Sequence, residues 1–524
     1  MKGAVAAGHP LTVRAGARVL EEGGNAVDAC VAAAFAGMVT ESFLTGLGAG
    51  GFMIVHRARD RSTRLADFYV STPGLGLKRP RGGEMQAIDV GFGDDAPTRQ
   101  PFLIGPATVA VPGAVAGLEA VHRRYGRMPW QELLAPATEL ARDGIEVTTQ
   151  QAEIHAMLDP IIRFSHEARR IYSSPQGAVL VAGDRLRLPD LADSFAAIAR
   201  RGAAAIYGGE RARAIVATVR DGGGELTLDD LAAFRVVWRR PVRVQFEAHD
   251  VLSNPPPSAG GVLIAYGLAL LARLPSRTAG SAAAIATLAE VMREQGRARG
   301  GGFSRDLHRG GAATRLLAPD SLRGAKRRIE RHLAGAPDPA ANGTTHISVI
   351  DGDGNAAGLS ASTGSGSGVV VPGTGIYLNN MLGEYDLVGG RTRRPARRLT
   401  SMMAPTIALT PEGRPRLVVG SAGSARLRGA IMQIVVNVLQ HGLGVADAVN
   451  APRIYVDEPH VHCEGGHEPP ELDRLDELGY DLVRWRDRNL FFGGAAAVEV
   501  LPDGSAAAAG DPRRGGAGIL VGES

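Results

Sequence analysis

Cysteine is scarce: two residues, Cys30 and Cys463, stand in 524. No disulfide framework follows from that number. No CxxC or HExxH pattern occurs, so the sequence offers no metal site, and scattered histidines such as His462 and His467 read as core or surface residues. No apolar run approaches the ~20 residues that span a bilayer. Charge of one sign is also lacking. Lys plus Arg number 58 against 54 Asp plus Glu, for a formal net charge of +4, too weak a balance to argue for nucleic acid. The basic clusters at 391–398 and 323–331 read as solvated surface or mobile loop. The start, MKGAVAAGHPLTVRAGARVL, has no charged head followed by a long apolar run and cleavage site. A soluble cytoplasmic enzyme is the expectation, although a trimmed leader would leave no trace. No cofactor, nucleic acid or membrane is expected as a partner.

What is present is glycine, 70 residues of it, with 44% hydrophobic and 21% charged residues, ordinary values for a globular chain with a sizeable core. Residues 11–22 carry Leu11, Ala15, Val19 and Leu20 at helical spacing, stopped by Gly23-Gly24-Asn25. A helix of small residues is predicted over 26–39, a turn over 46–51 and strands at 52–56 and 65–69. From 130 to 220 the pattern is mostly helical, with stops at Gly144, Gly202 and Gly208-Gly209. Strands at 242–247 and 250–253 precede helices at 263–271 and 281–298. Residues 300–341 are polar and basic, and read as an exposed connecting segment. Beyond them the texture turns to strands at 345–350, 356–362, 406–410 and 417–419, a helix at 429–441, and strands at 496–501 and 506–509. Mixed elements in both halves predict an α+β fold.

Two motifs fail on context. Gly46-x-Gly48-x-x-Gly51, with Asp67 beyond it, matches a dinucleotide fingerprint, yet that site needs a preceding strand and a following helix. Here the order is reversed, and a nicotinamide enzyme is a poor reading. Asp351-x-Asp353-x-Asn355 resembles the start of a calcium loop, but Ala356 and Ser362 replace the required Gly and Glu. A hairpin turn explains it better.

The informative stretch is Asn342-Gly343-Thr344-Thr345-His346-Ile347-Ser348-Val349-Ile350-Asp351, where a loose linker runs into a strand. A threonine hydroxyl is a poor nucleophile without a base. Placed at a chain terminus it brings its own, because a free α-amino group titrates near ~7.7–8.0. One backbone cut before Thr344 would create both groups together. On the stretch alone, the favoured reading of Thr344 and Thr345 is as ordinary β-formers.

TTHISVID followed by DGDGNAAGLSAST closely resembles the start of the small subunit of the gamma-glutamyltransferase family of N-terminal-nucleophile hydrolases. GGNAVDACVAAAFA, GLGAGGFM, VPGAVAG, YGRMPWQELLAPATELARDG and NPPPSAGG resemble its large subunit. LNNML, LTSMMAPT, GSAGSAR, NAPR and DPR resemble the rest of its small subunit, in one order over nearly the whole chain. The resemblance implies a four-layer αββα sandwich and self-cleavage between Gly343 and Thr344. Fragments 1–343 and 344–524 would stay associated and build one joint core, with a dimer of such heterodimers as one arrangement open to it. It further implies Thr344 as nucleophile and the N–H groups of Gly423 and Ser424 as oxyanion donors. Ser362 matches a hydroxyl residue that bonds the nucleophile. Thr400 and Ser401 match a pair that contacts the substrate carboxylate.

The resemblance breaks at the substrate pocket. An arginine expected just after Asp67-Phe68, to clamp an α-carboxylate, is Tyr69 here. An expected asparagine becomes Gly364, and the expected acceptors for the substrate ammonium become Met381 and Glu384. Arg393, Arg394, Arg397 or Arg398 are candidates to replace the missing clamp. The implied activity is cleavage of a gamma-glutamyl or related small-molecule amide through an acyl-enzyme, with water or an amine as acceptor. A non-glutamyl amidohydrolase, like the cephalosporin-acylase and oxamate-amidohydrolase branches, is the alternative. An uncleaved, non-catalytic binding protein is the reading from another class.

Overall fold

The computed structural model describes residues 2–78, 82–92, 99–333, 345–384, 394–423 and 426–522. Two large antiparallel sheets form its centre. One has seven strands: β1 (Gly3–Ala7), β2 (Gly50–Arg57), β3 (Ser62–Phe68), β4 (Val237–Arg239), β7 (Thr345–Asp351), β8 (Ala356–Ser362) and β13 (Ala517–Val521). Their spatial order is β13-β1-β7-β8-β2-β3-β4. The other has six strands: β5 (Val242–Phe246), β6 (His249–Ser253), β9 (Thr406–Leu409), β10 (Pro415–Ala422), β11 (Gly494–Val500) and β12 (Ala506–Gly510), in the order β12-β11-β10-β9-β6-β5. Strands from both sides of position 344 are therefore neighbours in each sheet.

Helices α1 (Pro10–Glu21) and α2 (Ala26–Thr40) lie against the outer face of the first sheet. Helices α3 (Gly260–Leu271) and α4 (Leu427–Leu439) cover the second, and the two sheets face each other. The fold is thus α+β, a four-layer αββα sandwich. Its layering follows from alternation along each strand. In β2, Met53 and Val55 join the core beneath the helices, whereas Phe52 and Ile54 join the core between the sheets. Such a strand is buried on both faces and reads as a continuous apolar run.

The start of α2 is capped by Asn25, whose side chain accepts from the N–H groups of Val27 and Asp28 while Asp28 answers with its own carboxylate. Asp351 reinforces it across the chain: one carboxylate oxygen accepts from Ala26 N at 2.9 Å, the other from Asp353 and Asn355. The Asp351 turn is thus a hairpin and helix cap. A helix before the Gly46 loop and a strand after it complete the reversed context that argued against a dinucleotide.

Three expectations need correction. Residues 300–333 form helices Phe303–Arg309, Ala312–Leu316 and Pro319–His332 rather than a loose segment. Leu322, Ala325 and Ile329 recur at helical spacing and are buried, and the many arginines between them masked that stripe. The sequence reading misses β1 and the edge strand β13. Gly-Ala-Val-Ala-Ala has little β propensity, and β1 is extended because it pairs with β7 on one side and β13 on the other. Arg398, expected on a solvated loop, is largely buried on Asp67. Among the described residues no helix is long and apolar enough to cross a membrane.

Candidate active site

Thr345 opens β7, an interior strand of the seven-stranded sheet, and pairs with Ala361 of β8. Its hydroxyl donates to Glu41 Oε2 at 3.0 Å, and Glu41 Oε1 accepts from Arg514 Nη2 at 2.5 Å. All three side chains are buried. Glu41 caps the C-terminus of α2, where a carboxylate opposes the helix dipole. Arg514 offsets that cost. It is held in turn by the neighbouring buried network: Asp511 takes the Ala495 N–H at 2.9 Å and pairs with Arg453 at 2.7 Å and Arg513 at 3.0 Å. The NAPR and DPR motifs thus fix the turn that carries Arg514.

Glu41 and Arg514 escaped the sequence reading. A signal was available: Glu41 follows AVDACVAAAFAGMVT, a helix with no exposed residue. An acid at the C-terminal end of such a helix requires a partner.

Gly423 follows β10 with φ +122°, a conformation side chains rarely adopt, and a Cβ there would lie 3.0 Å from Gly493 Cα. Ser362, fully buried at the end of β8, accepts the Gly364 N–H at 2.8 Å and retains a hydroxyl proton to donate. Gly343, Thr344 and Ser424 lie outside the described residues, so their expected roles are carried by sequence alone.

His346 points into the space between the sheets, its ring nitrogens 2.8 Å from Ser360 Oγ and 3.0 Å from Ser348 Oγ. Burial pushes its pKa down to about 3, so it is a neutral spacer. Gly420 is required above it, since a Cβ there would fall 2.2 Å from Nδ1.

The expected substrate-binding residues divide. Tyr69, Ser401 and Glu384 do come together. Tyr69 stacks on Phe52 at 5.3 Å, and its hydroxyl donates to Met381 Sδ at 3.0 Å. Burial, then the nearby Glu384 carboxylate, push the Tyr69 pKa up, while a hydrogen bond with Ser401 opposes them. Thr400 turns elsewhere, to His308 Nε2 at 3.1 Å. Gly364 has φ +76°, and a Cβ there would fall 2.0 Å from Asn380 Oδ1. A side chain at position 364, asparagine included, would therefore collide with Asn380.

Among the candidate arginines, Arg398 is held away from the pocket by other partners. Arg398 donates to the carbonyls of Asp67, Tyr69 and Arg235, pairs with Asp67 at 3.3 Å and lies over the Phe234 ring at 4.8 Å. Arg394 and Arg397 are exposed, and Arg393 lies outside the described residues. What opens beside Gly423 and Gly364 is a cavity of about 80 Å³, walled by apolar residues such as Leu44, Phe102 and Leu158 and by the guanidinium side chains of Arg426 and Arg514.

An αββα sandwich with these motifs along its strands is the architecture of N-terminal-nucleophile hydrolases. The family description gamma-glutamyltranspeptidase matches residues 12–521. The glutathione hydrolase proenzyme of Escherichia coli (strain K12) is 32% identical, over 98% of this chain and 90% of that protein. The acylase ACY 1 proenzyme of Pseudomonas sp. (strain SE83) is 31% identical, over 99% of this chain and 94% of its own length. Among solved structures, a cephalosporin acylase from Bacillus halodurans superposes with a TM-score of 0.85 at 25% identity, covering 99% of this chain and 95% of that one. The chain belongs to the gamma-glutamyltranspeptidase family. It is an amidohydrolase or acyltransferase of that family.

Proposed function

We propose that this chain is a self-processing threonine-nucleophile amidohydrolase whose acyl donor is not a gamma-glutamyl group. In maturation, Thr344 Oγ attacks the Gly343 carbonyl, the peptide bond shifts to an ester, and water hydrolyses that ester. The products are a Gly343 carboxylate and a free Thr344 amine. In turnover the amine takes the proton of Oγ as Oγ attacks the substrate amide. The oxyanion rests on the N–H groups of Gly423 and Ser424, donors worth roughly 3–4 kcal/mol each in comparable sites. Collapse expels the amine product with the proton returned from the α-ammonium, and water then releases the acid from the acyl-enzyme.

The observation that carries the substrate reading is Tyr69 seated on Met381, with Arg398 committed to Asp67. A glutamyl head needs a cation for its carboxylate; Arg398 is held by Asp67, and Arg394 and Arg397 are exposed. Similarity to an acylase proenzyme supports the same direction. A second reading, gamma-glutamyl transfer, is favoured by Glu384 and Ser401, which lie beside the Tyr69 hydroxyl and match family positions expected to meet a substrate ammonium and carboxylate. Assay of the purified enzyme with glutathione and with non-glutamyl amides separates the two. Rapid turnover of glutathione would refute the non-glutamyl assignment. A chain that stays whole on a denaturing gel and remains inert would favour the uncleaved binding protein.

A further inference from the structure

A larger cavity, of about 190 Å³, opens beside the edge strand β4. Residues 396–399 run alongside 70–72 and close one side of it: Thr72 N donates to Arg397 O at 2.8 Å, Ala396 N to Thr72 O at 2.9 Å and Leu399 N to Val70 O at 3.1 Å. Strand pairing decides where the charges point. Arg239 lies opposite Leu65 and Val237 opposite Asp67, so all four share the face that looks into the space between the sheets. Arg235, Arg239 and Arg398 line the cavity, with Asp230 as the acid among them. Both nearby carboxylates are spent. Asp230 accepts from the N–H groups of Gly74 at 2.7 Å, Leu75 at 3.0 Å and Thr227 at 3.0 Å, and from the Thr227 hydroxyl at 2.9 Å. Asp67 accepts from Tyr69 N at 3.1 Å and Arg239 Nε at 2.7 Å, and pairs with Arg398 at 3.3 Å. Arg398 is spent as well, on the carbonyls of Asp67, Tyr69 and Arg235. Arg239 is not. Only its Nε is bonded among the described residues, and its side chain keeps 24% of its surface exposed. Burial lowers the Arg398 pKa, and Arg239 beside it pushes the same way against Asp67.

We propose that this cavity is a binding site for a small organic carboxylate with an apolar body, distinct from the reaction centre. The two Nη groups of Arg239 form a planar fork that matches the two oxygens of a carboxylate. Three arginines stand over two aspartates, so a single negative charge completes the balance and a phosphate dianion exceeds it. The remaining wall is apolar, from Leu75, Phe234, Val237 and Ala396, and suits the body of the ligand rather than a bare ion. Size is ample for one ring: an apolar cavity of roughly 150 Å³ takes up benzene. Position separates the site from the chemistry. Three strand spacings divide β7 from β3 in the sheet order, about 14 Å, and β4 lies one strand further. The proposal therefore does not rest on the Thr344 nucleophile.

The test is calorimetric titration of the purified full chain with benzoate, with its neutral isostere benzamide, and with inorganic phosphate. Benzoate should bind at one site, and benzamide at least ~10-fold more weakly, for want of the charge-assisted bonds. Arg239→Gln should weaken benzoate about 10-fold and leave benzamide unchanged. Arg239→Lys, which keeps the charge and loses the fork, should fall between wild type and Arg239→Gln. Because Arg239→Gln also takes a partner from Asp67, a second variant reads the cavity by volume. Val237 is exposed on the edge strand, so Val237→Phe should fold, fill the space and abolish benzoate binding. Benzamide equal to benzoate, phosphate tighter than benzoate, or unchanged benzoate binding in Val237→Phe would each overturn the proposal. So would benzoate that raises only the KM of acyl p-nitroanilide hydrolysis and does so equally in Arg239→Gln, since that places the anion at the reaction centre.

Discussion

Two neighbouring regions of this molecule differ in how far they match the family pattern. Around Thr345 the parts form one closed set: Glu41 on its hydroxyl, Arg514 on Glu41, and the motif arginines behind. Around Tyr69 the position of the family's arginine is taken up by packing: a ring on Phe52, a hydroxyl on a sulfur, and Arg398 turned to Asp67. A reaction centre needs donors and a base at fixed places, so it varies little in kind. A recognition pocket only needs to fit its own ligand, and can be filled by side chains when the ligand changes. The family assignment therefore speaks to the bond being cleaved, and the packing around Tyr69 to the group carried on it.

The comparison can be broken from either side. The largest effect is expected for Thr344→Ala, which should abolish fragment formation and lower turnover on the order of 10⁶-fold, as loss of a nucleophile does in comparable acyl-transfer enzymes. Residual activity in an uncut variant would remove Thr344 from the chemistry. Next comes Glu41→Ala. Leaving Arg514 buried without its carboxylate should cost about 3–5 kcal/mol in urea unfolding, and fragment formation should slow. A neutral result would mean the pair does not hold the start of β7.

Acid should act through His346. Its pKa is lowered from 6.5 to about 3 by burial, so the folded state resists a proton that the unfolded chain accepts. Below pH ~6.5 the unfolded chain binds more protons, and stability must fall with pH, down to about 3. His346→Gln should flatten that slope relative to wild type when unfolding is followed between pH 7 and 4. Equal slopes would rule out the buried neutral ring as its source. The smallest effect, a loss of about 1–3 kcal/mol, is expected for Gly364→Asn, from backbone strain and the contact with Asn380. It restores a residue of the family pocket, yet glutathione turnover should not appear. A gain of that activity would show that Gly364 alone, and not the packing around Tyr69, excludes glutamate.

Much of this was legible from the chain. The continuous apolar run FMIVH and the small-residue helix after Asn25 encode burial on two faces and close packing, so the sandwich is within reach. Tyr69, Ser401 and Glu384 were named together from motif positions, and they meet. The misses share a cause. Strand β1 owes its conformation to strands some 345 and 515 residues away, which no local propensity records. The stripe of Leu322, Ala325 and Ile329 was hidden by arginines, and Arg398 was read as surface because its partner Asp67 lies far back in sequence. Glu41 and Arg514 are 473 positions apart, so neither signals the other. Burial of a charge is a property of two distant segments, and only the fold brings them together.

The central claim is that Thr344 becomes both chain terminus and nucleophile. Intact-mass measurement of the purified protein, before and after an acid-quenched incubation with a panel of acyl p-nitroanilides, tests it most directly. Two chains divided between Gly343 and Thr344 are expected, with one acyl group gained by the fragment beginning at Thr344. A single uncut chain that still hydrolyses an anilide, or an acyl group on any other residue, would contradict it.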